Sequence, residues 1–220
     1  ENFYFVLLIV IKKIFFLFSV LSKYKKKIIK VTIFEIFYSL ILGRFFYKIY
    51  NDEEQADAMP CVYYFLYKIS KFVKKKSINY IVDLGSGNGR AVNYLSLKTS
   101  SKVKGYEKNK EIFDYSLINL SKRAEIEHKD INLINFNELN ADCFIVNTPF
   151  WKDTILKNLI DKIFSSNILK TKKYYIVIIN TDIIIKNISL DNIFMNFNLI
   201  KYVNAGPERS LRIYESKNNE

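Results

Sequence analysis

Apolar positions along the chain follow two regimes. Through residue 77 they come in long, aromatic-rich runs: residues 3–11 and 14–21, interrupted by Lys12 and Lys13, and then 31–50, where Glu35 and Arg44 are the only charges before Lys48. The polar cluster at 51–55 breaks this pattern and reads as a loop. Pro60 opens a helix over 61–75, in which Val62, Phe65, Leu66, Ile69, Phe72 and Val73 recur at helical spacing while Lys68, Lys71 and Lys74 lie largely opposite. From residue 78 the apolar runs shorten, grow rich in Ile and Val, and alternate with polar helical stretches. The spacing predicts strands at 78–84, 102–107, 125–129, 141–147, 174–180, about 198–203 and about 210–216, with helices at 89–98, 109–123, 151–164 and 183–195. Continuously apolar strands alternating with helices predict an α/β fold around a mostly parallel sheet covered on both faces. The last two strands, joined by the turn-forming residues 204–207, read as an antiparallel edge hairpin. Three regions follow: an apolar, basic extension at 1–50, a linker and leading helix at 51–77, and the α/β domain at 78–220.

Composition narrows the chemistry. With 220 residues, 50% hydrophobic and only 6 Gly and 3 Pro, the chain has the material for a sizeable core and is not a low-complexity or disordered sequence. Two cysteines, Cys61 and Cys143, and one histidine, His128, exclude a disulfide framework, a Cys₄ or Cys₂His₂ zinc site and a conventional His-based triad, so no metal is expected. The net charge of +12 looks like a nucleic-acid signal until it is divided along the chain. Residues 1–30 hold seven lysines against one acid, 31–76 seven basic residues against five acidic, and 77–220 twenty against sixteen. The α/β domain is only mildly basic.

A lysine cluster beside an apolar run is what the cytoplasmic flank of a membrane segment looks like. Neither N-terminal run alone reaches the ~20 residues that cross a bilayer. Three readings stay open: the end of a longer spanning helix, an interfacial helix carrying lysines into the headgroups, or a buried helix with snorkelling lysine stems. No small-residue cleavage site follows Leu21, which disfavours a signal peptide. The chain opens on Glu1 and not Met, which leaves open whether its natural start lies upstream. The location expected from the charge pattern is the cytoplasmic face of a membrane, or the cytoplasm if these runs belong to the core. Residues 31–50 read as a second amphipathic or membrane-apposed helix.

The first strand of the domain runs into Val82-Asp83-Leu84-Gly85-Ser86-Gly87-Asn88-Gly89-Arg90, a glycine-rich turn at the carboxyl edge of the sheet, where open α/β folds bind ligands. Its G-x-G-x-G spacing differs from both the dinucleotide and the P-loop patterns. Asp83 ahead of the turn would repel a phosphate and suits a ligand carrying positive charge. The second strand ends in Gly105-Tyr106-Glu107, which puts an acid in position to accept hydrogen bonds from ribose hydroxyls. These residues together resemble the class I S-adenosylmethionine-dependent methyltransferases, over roughly 78–216. The resemblance implies a Rossmann-like seven-stranded domain that binds S-adenosyl-L-methionine through Asp83, Gly85, Ser86, Gly87, Gly89 and Glu107. It also implies an acid near the adenine after the third strand, for which Asp130 is the candidate; a turn cap is the plainer role for the same residue.

The fourth strand ends in Asn147-Thr148-Pro149-Phe150-Trp151. This is similar to the N-P-P-[YF] motif of amino-methyltransferases, with Thr148 in place of the first proline, and to the corresponding region of Dot1-like lysine methyltransferases. The likeness implies that Asn147, Pro149 and Phe150 handle the methyl acceptor; alternatively Pro149 and Phe150 simply end a strand and start a helix. The N-terminal extension together with the motifs looks most like small membrane-anchored protein-lysine methyltransferases. A protein lysine is therefore the expected acceptor. An adenine or rRNA N-methyltransferase, with RNA as partner, and a non-catalytic S-adenosylmethionine-binding membrane protein are the alternatives. His128 reads as a surface strand residue, Cys61 and Cys143 as inert thiols, and Arg90 and Arg209–Arg212 as exposed arginines able to guide an anionic acceptor.

Overall fold

Short apolar runs with little polar alternation need cover on both faces, and three of them form the middle of the sheet. In a computed structural model of the protein, the described residues are 25–42, 61–118, 120–147, 153–180, 190–205 and 209–217. In chain order the elements are α1 (Lys25–Leu42), α2 (Tyr63–Lys75), β1 (Tyr80–Leu84), α3 (Arg90–Lys98), β2 (Lys102–Glu107), α4 (Lys110–Ser116), β3 (Ala124–His128), β4 (Cys143–Asn147), α5 (Asp153–Ser165), α6 (Asn167–Lys170), β5 (Tyr175–Ile179), α7 (Leu190–Ile193), β6 (Phe197–Asn204) and β7 (Ser210–Ser216). The seven strands form one sheet in the order β3-β2-β1-β4-β5-β7-β6. β1 to β5 are parallel, and β7 runs against both of its neighbours. The expected Rossmann-like α/β class, with an antiparallel pair at one edge, is the observed one. β1, β4 and β5 are buried almost throughout, whereas β3 and β6 at the margins are largely exposed or half-buried.

Period-2 alternation divides the core in two. Ile81, Val103, Ile145, Val177 and Ile213 face a layer built by α2 and α3, with Phe65, Leu66, Ile69, Val92 and Leu95. Val82, Leu84, Phe144, Val146, Ile176 and Ile178 face the other layer, with Leu156, Ile160 and Ile163 of α5 and Phe194 and Phe197. At the amino edge of the sheet Asp142 closes the structure: its Oδ2 accepts from the backbone N–H groups of Asn79 and Tyr80, both at 2.9 Å, and its Oδ1 from Lys172 Nζ at 2.8 Å. Burial alone would raise this carboxyl, but the Lys172 ammonium and the two N–H donors outweigh it and hold it below the ordinary carboxylate range.

Strand positions agree with the sequence pattern to within two residues, and helices differ more. The helix expected over 109–123 stops at Ser116. The chain must already turn toward β3, and Ser121 N–H donates to the buried Asn93 Oδ1 at 2.9 Å to hold that turn. Two 3₁₀ turns, Ile131–Leu133 and Phe136–Glu138, and the short α6 carry no periodic signal and were not expected. Of the helix expected over 183–195, residues 190–195 are described, and of these Leu190–Ile193 are helical. The helix expected over 31–50 is α1, shifted toward the N-terminus; its expected end, 43–50, and Pro60 lie outside the described residues.

α1 packs on α2, with Val31 and Ser39 buried and Phe34 and Tyr38 among Tyr63, Tyr64 and Tyr67. Its Glu35 reaches into the domain. One carboxylate oxygen accepts from the first backbone N–H of α2, that of Tyr63, at 3.1 Å, and the other pairs with the Arg90 guanidinium at 2.5 Å. Arg90 also lies over the Tyr63 ring, 4.6 Å from its centroid. This corrects the expectation of an exposed Arg90: it is 2% exposed and holds the N-terminal helix instead of meeting a substrate. A buried guanidinium left without its acid is strongly destabilising, whereas replacing both partners with apolar residues is much less so. Glu35→Leu is therefore expected to cost about 3–5 kcal/mol in urea unfolding, and adding Arg90→Met should recover a large part of it. Equal losses in the single and double variants would show that the pair does not stabilise α1 docking.

Candidate active site

The alternation that builds the core also aims chemistry. Asp83, Glu107 and Asn147 stand at the carboxyl ends of β1, β2 and β4, each in phase with the residues that face the α2–α3 layer. The order of the sheet reverses between β1 and β4, the switch point at which open α/β folds bind ligands. The turn after β1 is held onto β2: the N–H groups of Gly85 and Ser86 both donate to Tyr106 O, at 3.1 and 2.8 Å. Such a close approach needs a strand without side-chain bulk beneath it, and Gly105 provides that. A Cβ there would sit 2.7 Å from Ser86 Cβ and 2.8 Å from a Val92 methyl.

Glu107 joins the two strand ends. Its Oε2 accepts from Gly87 N–H at 2.8 Å and its Oε1 from Asn109 N–H at 2.8 Å, while Asn109 in turn caps α4. Burial pushes the Glu107 carboxyl up, and these backbone donors oppose the shift. Gly85, Gly87 and Gly89 all have positive φ. At Gly87, φ is +52° and nothing lies within 4 Å of where a Cβ would be, so the space over the turn is open to a ligand.

Asp83 is the unusual member. It is 2% exposed, its Oδ1 is buried and has no hydrogen-bond partner, and burial, followed by the negative charge of Glu107, pushes its carboxyl up to about 7. Ser86 Oγ beside it is likewise buried without a partner. A buried acid with one unpaired oxygen near an open space fits a ligand that brings its own cation and donors. An ammonium or a sulfonium group would meet that requirement, and the Glu107 carboxyl lies one strand over.

Asp130 does what its plainer reading foresees: Oδ1 caps the 3₁₀ turn through Asn132 N–H at 2.8 Å, and Oδ2 lies 3.4 Å from Lys108 Nζ. It stands beyond β3, next to the strand that carries Glu107. His128 is exposed, its Nε2 at 2.9 Å from Lys108 O and its ring against Phe113. Cys61 and Cys143 are buried free thiols, both pushed well up by burial. Asn147 is half-buried at the end of β4, while Thr148, Pro149, Phe150 and Trp151 lie outside the described residues. Two site features escaped the sequence pattern. One is the steric role of Gly105; the other is Asn180, whose Nδ2 donates to Asn147 Oδ1 at 3.1 Å. The second had a visible signal, a lone carboxamide ending an all-apolar strand.

No family model matches the chain, and no curated protein matches it in sequence. Its fold has many relatives among solved structures. A putative methyltransferase, yhhF, from Escherichia coli superposes with a TM-score of 0.57 at 13% identity, over 74% of this chain and 90% of that one. An RNA methyltransferase from Salinibacter ruber, solved with S-adenosyl-L-homocysteine, gives 0.51 at 14% identity, over 74% and 95%. A ribosomal protein methylase from Lactobacillus delbrueckii subsp. bulgaricus gives 0.50 at 13%, over 70% and 78%. The fold is that of the class I S-adenosylmethionine-dependent methyltransferases.

The Asp83 carboxyl gives a pH signature. Its folded pKa lies above the unfolded value of about 3.9, so between roughly pH 4 and 7 the folded chain keeps a proton that the unfolded chain has lost. The associated stability is present at low pH and is lost as pH rises through about 7. The Tm of the ligand-free chain minus that of Asp83→Asn should therefore fall from pH 5 to about 7 and level off above it. A difference that does not change with pH would mean that Asp83 titrates normally.

Proposed function

We propose that the protein is an S-adenosylmethionine-dependent methyltransferase acting on an amine nitrogen, with a protein lysine as acceptor. The observation that carries this reading is the buried Asp83 carboxyl, whose Oδ1 has no partner, near the open space at Gly87, with Glu107 on the adjoining strand. Asp83 would hold the amino-acid end of the cofactor, Gly85, Ser86, Gly87 and Gly89 would let the backbone lie against it, and Glu107 would accept from the ribose hydroxyls. Asp130, beyond β3, would lie toward the adenine. When bound, the cofactor supplies a methyl group on a sulfonium, which a neutral nitrogen accepts with loss of a proton.

Asn147 stands at the end of β4, across the switch point from Asp83, and would orient the acceptor nitrogen, with Pro149 and Phe150 framing it. A neutral carboxamide suits this position because it accepts an N–H without favouring the charged ammonium, and a desolvated cleft disfavours the ammonium further. Most of the acceleration would come from holding nitrogen and methyl in line. The mild charge of residues 77–220 favours a protein acceptor over RNA.

We further propose that the chain works at the cytoplasmic face of an anionic membrane. No helix among the described residues is long and apolar enough to cross one. Support comes from the apolar runs at 3–11 and 14–21 beside seven lysines, and from Ile29, Ile33, Phe37, Leu40 and Ile41, which stand exposed on α1.

In calorimetry, Gly87→Val is expected to abolish S-adenosylmethionine binding by filling the open space, and Glu107→Ala to weaken it by about 1.5–3 kcal/mol. Wild-type affinity in both variants would remove the cofactor assignment. Incubating the protein with lysate and tritiated cofactor should label protein; label confined to RNA would select the adenine reading, and binding without any transfer a non-catalytic one. On location, the full chain should co-sediment with phosphatidylserine vesicles, while a chain lacking residues 1–24 keeps α1 and should still bind the cofactor. A full chain that stays in the supernatant at low salt would end the membrane proposal.

A further inference from the structure

Asn180 follows the last residue of β5 in a left-handed conformation, with φ at +59°, and is 3% exposed. That backbone geometry is uncommon outside glycine and is tolerated by asparagine better than by most residues. Its N–H donates to Ser210 O at 2.8 Å, which continues the pairing with β7. Its side chain turns to β4, where Nδ2 donates to Asn147 Oδ1 at 3.1 Å, and its own Oδ1 is buried with no partner. Glycine would serve this backbone equally well, so the fold alone does not call for a carboxamide. An unpaired buried carbonyl oxygen is costly to keep unless a donor arrives. Asn147 and Asn180 stand side by side at the ends of β4 and β5, with Ile179 registered opposite Asn147. Asp83 and Glu107 lie across the switch point from them.

We propose that Asn180 is part of the acceptor-amine site: it fixes the Asn147 carboxamide through Nδ2 and presents its own Oδ1 to an N–H of the incoming amine. The inference rests on the methyltransferase reading and deepens it toward nitrogen acceptors. An oxygen or carbon nucleophile would bring fewer N–H donors or none, and would leave Asn180 Oδ1 unpaired. A pair of neutral carboxamides binds an amine while leaving its lone pair available for the methyl.

The test needs no knowledge of the acceptor. Sinefungin carries a primary amine at the position of the transferred methyl, whereas S-adenosylhomocysteine has no nitrogen there. Calorimetry on the full chain should show that Asn180→Gly, which keeps the left-handed backbone, weakens sinefungin about tenfold, the loss of roughly one hydrogen bond to a charged group. S-adenosylhomocysteine affinity should stay within twofold. Asn180→Asp, which restores an oxygen acceptor, should recover sinefungin binding. Equal losses for the two ligands in Asn180→Gly, or no loss for either, would overturn the inference and leave the cofactor site intact. If the wild-type chain bound neither ligand, the methyltransferase reading itself would fall, and this inference with it.

Discussion

Asp83 and Glu107 put two carboxylates at the ends of adjacent strands, on one face of the sheet, and most of the local architecture follows from how each is accommodated. Glu107 is met by backbone donors from the turn after β1 and from the start of α4. For Gly87 N–H to point at it, the turn must fold back over β2, which brings in the left-handed glycines and the bonds to Tyr106 O. For the turn to lie that low, Gly105 must have no side chain. Asp83 receives none of this support. The contrast with Asp142 at the opposite edge is informative, since three donors there hold a carboxylate ionised. One edge of the sheet pairs its acid fully, and the other keeps an acid with a buried, unpaired oxygen.

Much of this was legible in the sequence because it rests on local rules. Period-2 runs, the glycine turn and the acid ending the second strand each announce themselves within a few residues, and all seven strands fell where the pattern put them. What the sequence hid depends on distant partners. Arg90 looks like any surface arginine beside a loop, and its burial follows from Glu35, 55 positions earlier, in a segment whose apolar character had pointed to lipid. Helix ends were obscured for the same reason. Ser116 closes α4 because Asn93, on another helix, holds the next turn. The steric demand at Gly105 comes from Ser86 and Val92, which no spacing along the chain brings together.

α1 therefore faces two ways. Val31, Phe34, Glu35 and Tyr38 bind it to the domain, while Ile33, Phe37, Leu40 and Ile41 remain exposed. Arg90, the first residue of α3, follows directly on the Gly85–Gly89 turn. Through the Glu35–Arg90 pair, the seating of the N-terminal helix and the shape of the turn over Gly87 are mechanically joined.

The position of β7 has a bearing on how the molecule assembles during synthesis. β6 is made first, yet it has no place in the sheet until β7 has slipped between it and β5. Until then the Tyr175–Ile179 strand, apolar along its whole length, presents a bare row of backbone donors and acceptors. The growing chain thus carries an adhesive edge through the translation of some thirty further residues, a window in which chaperone cover matters more than the stability of the finished fold.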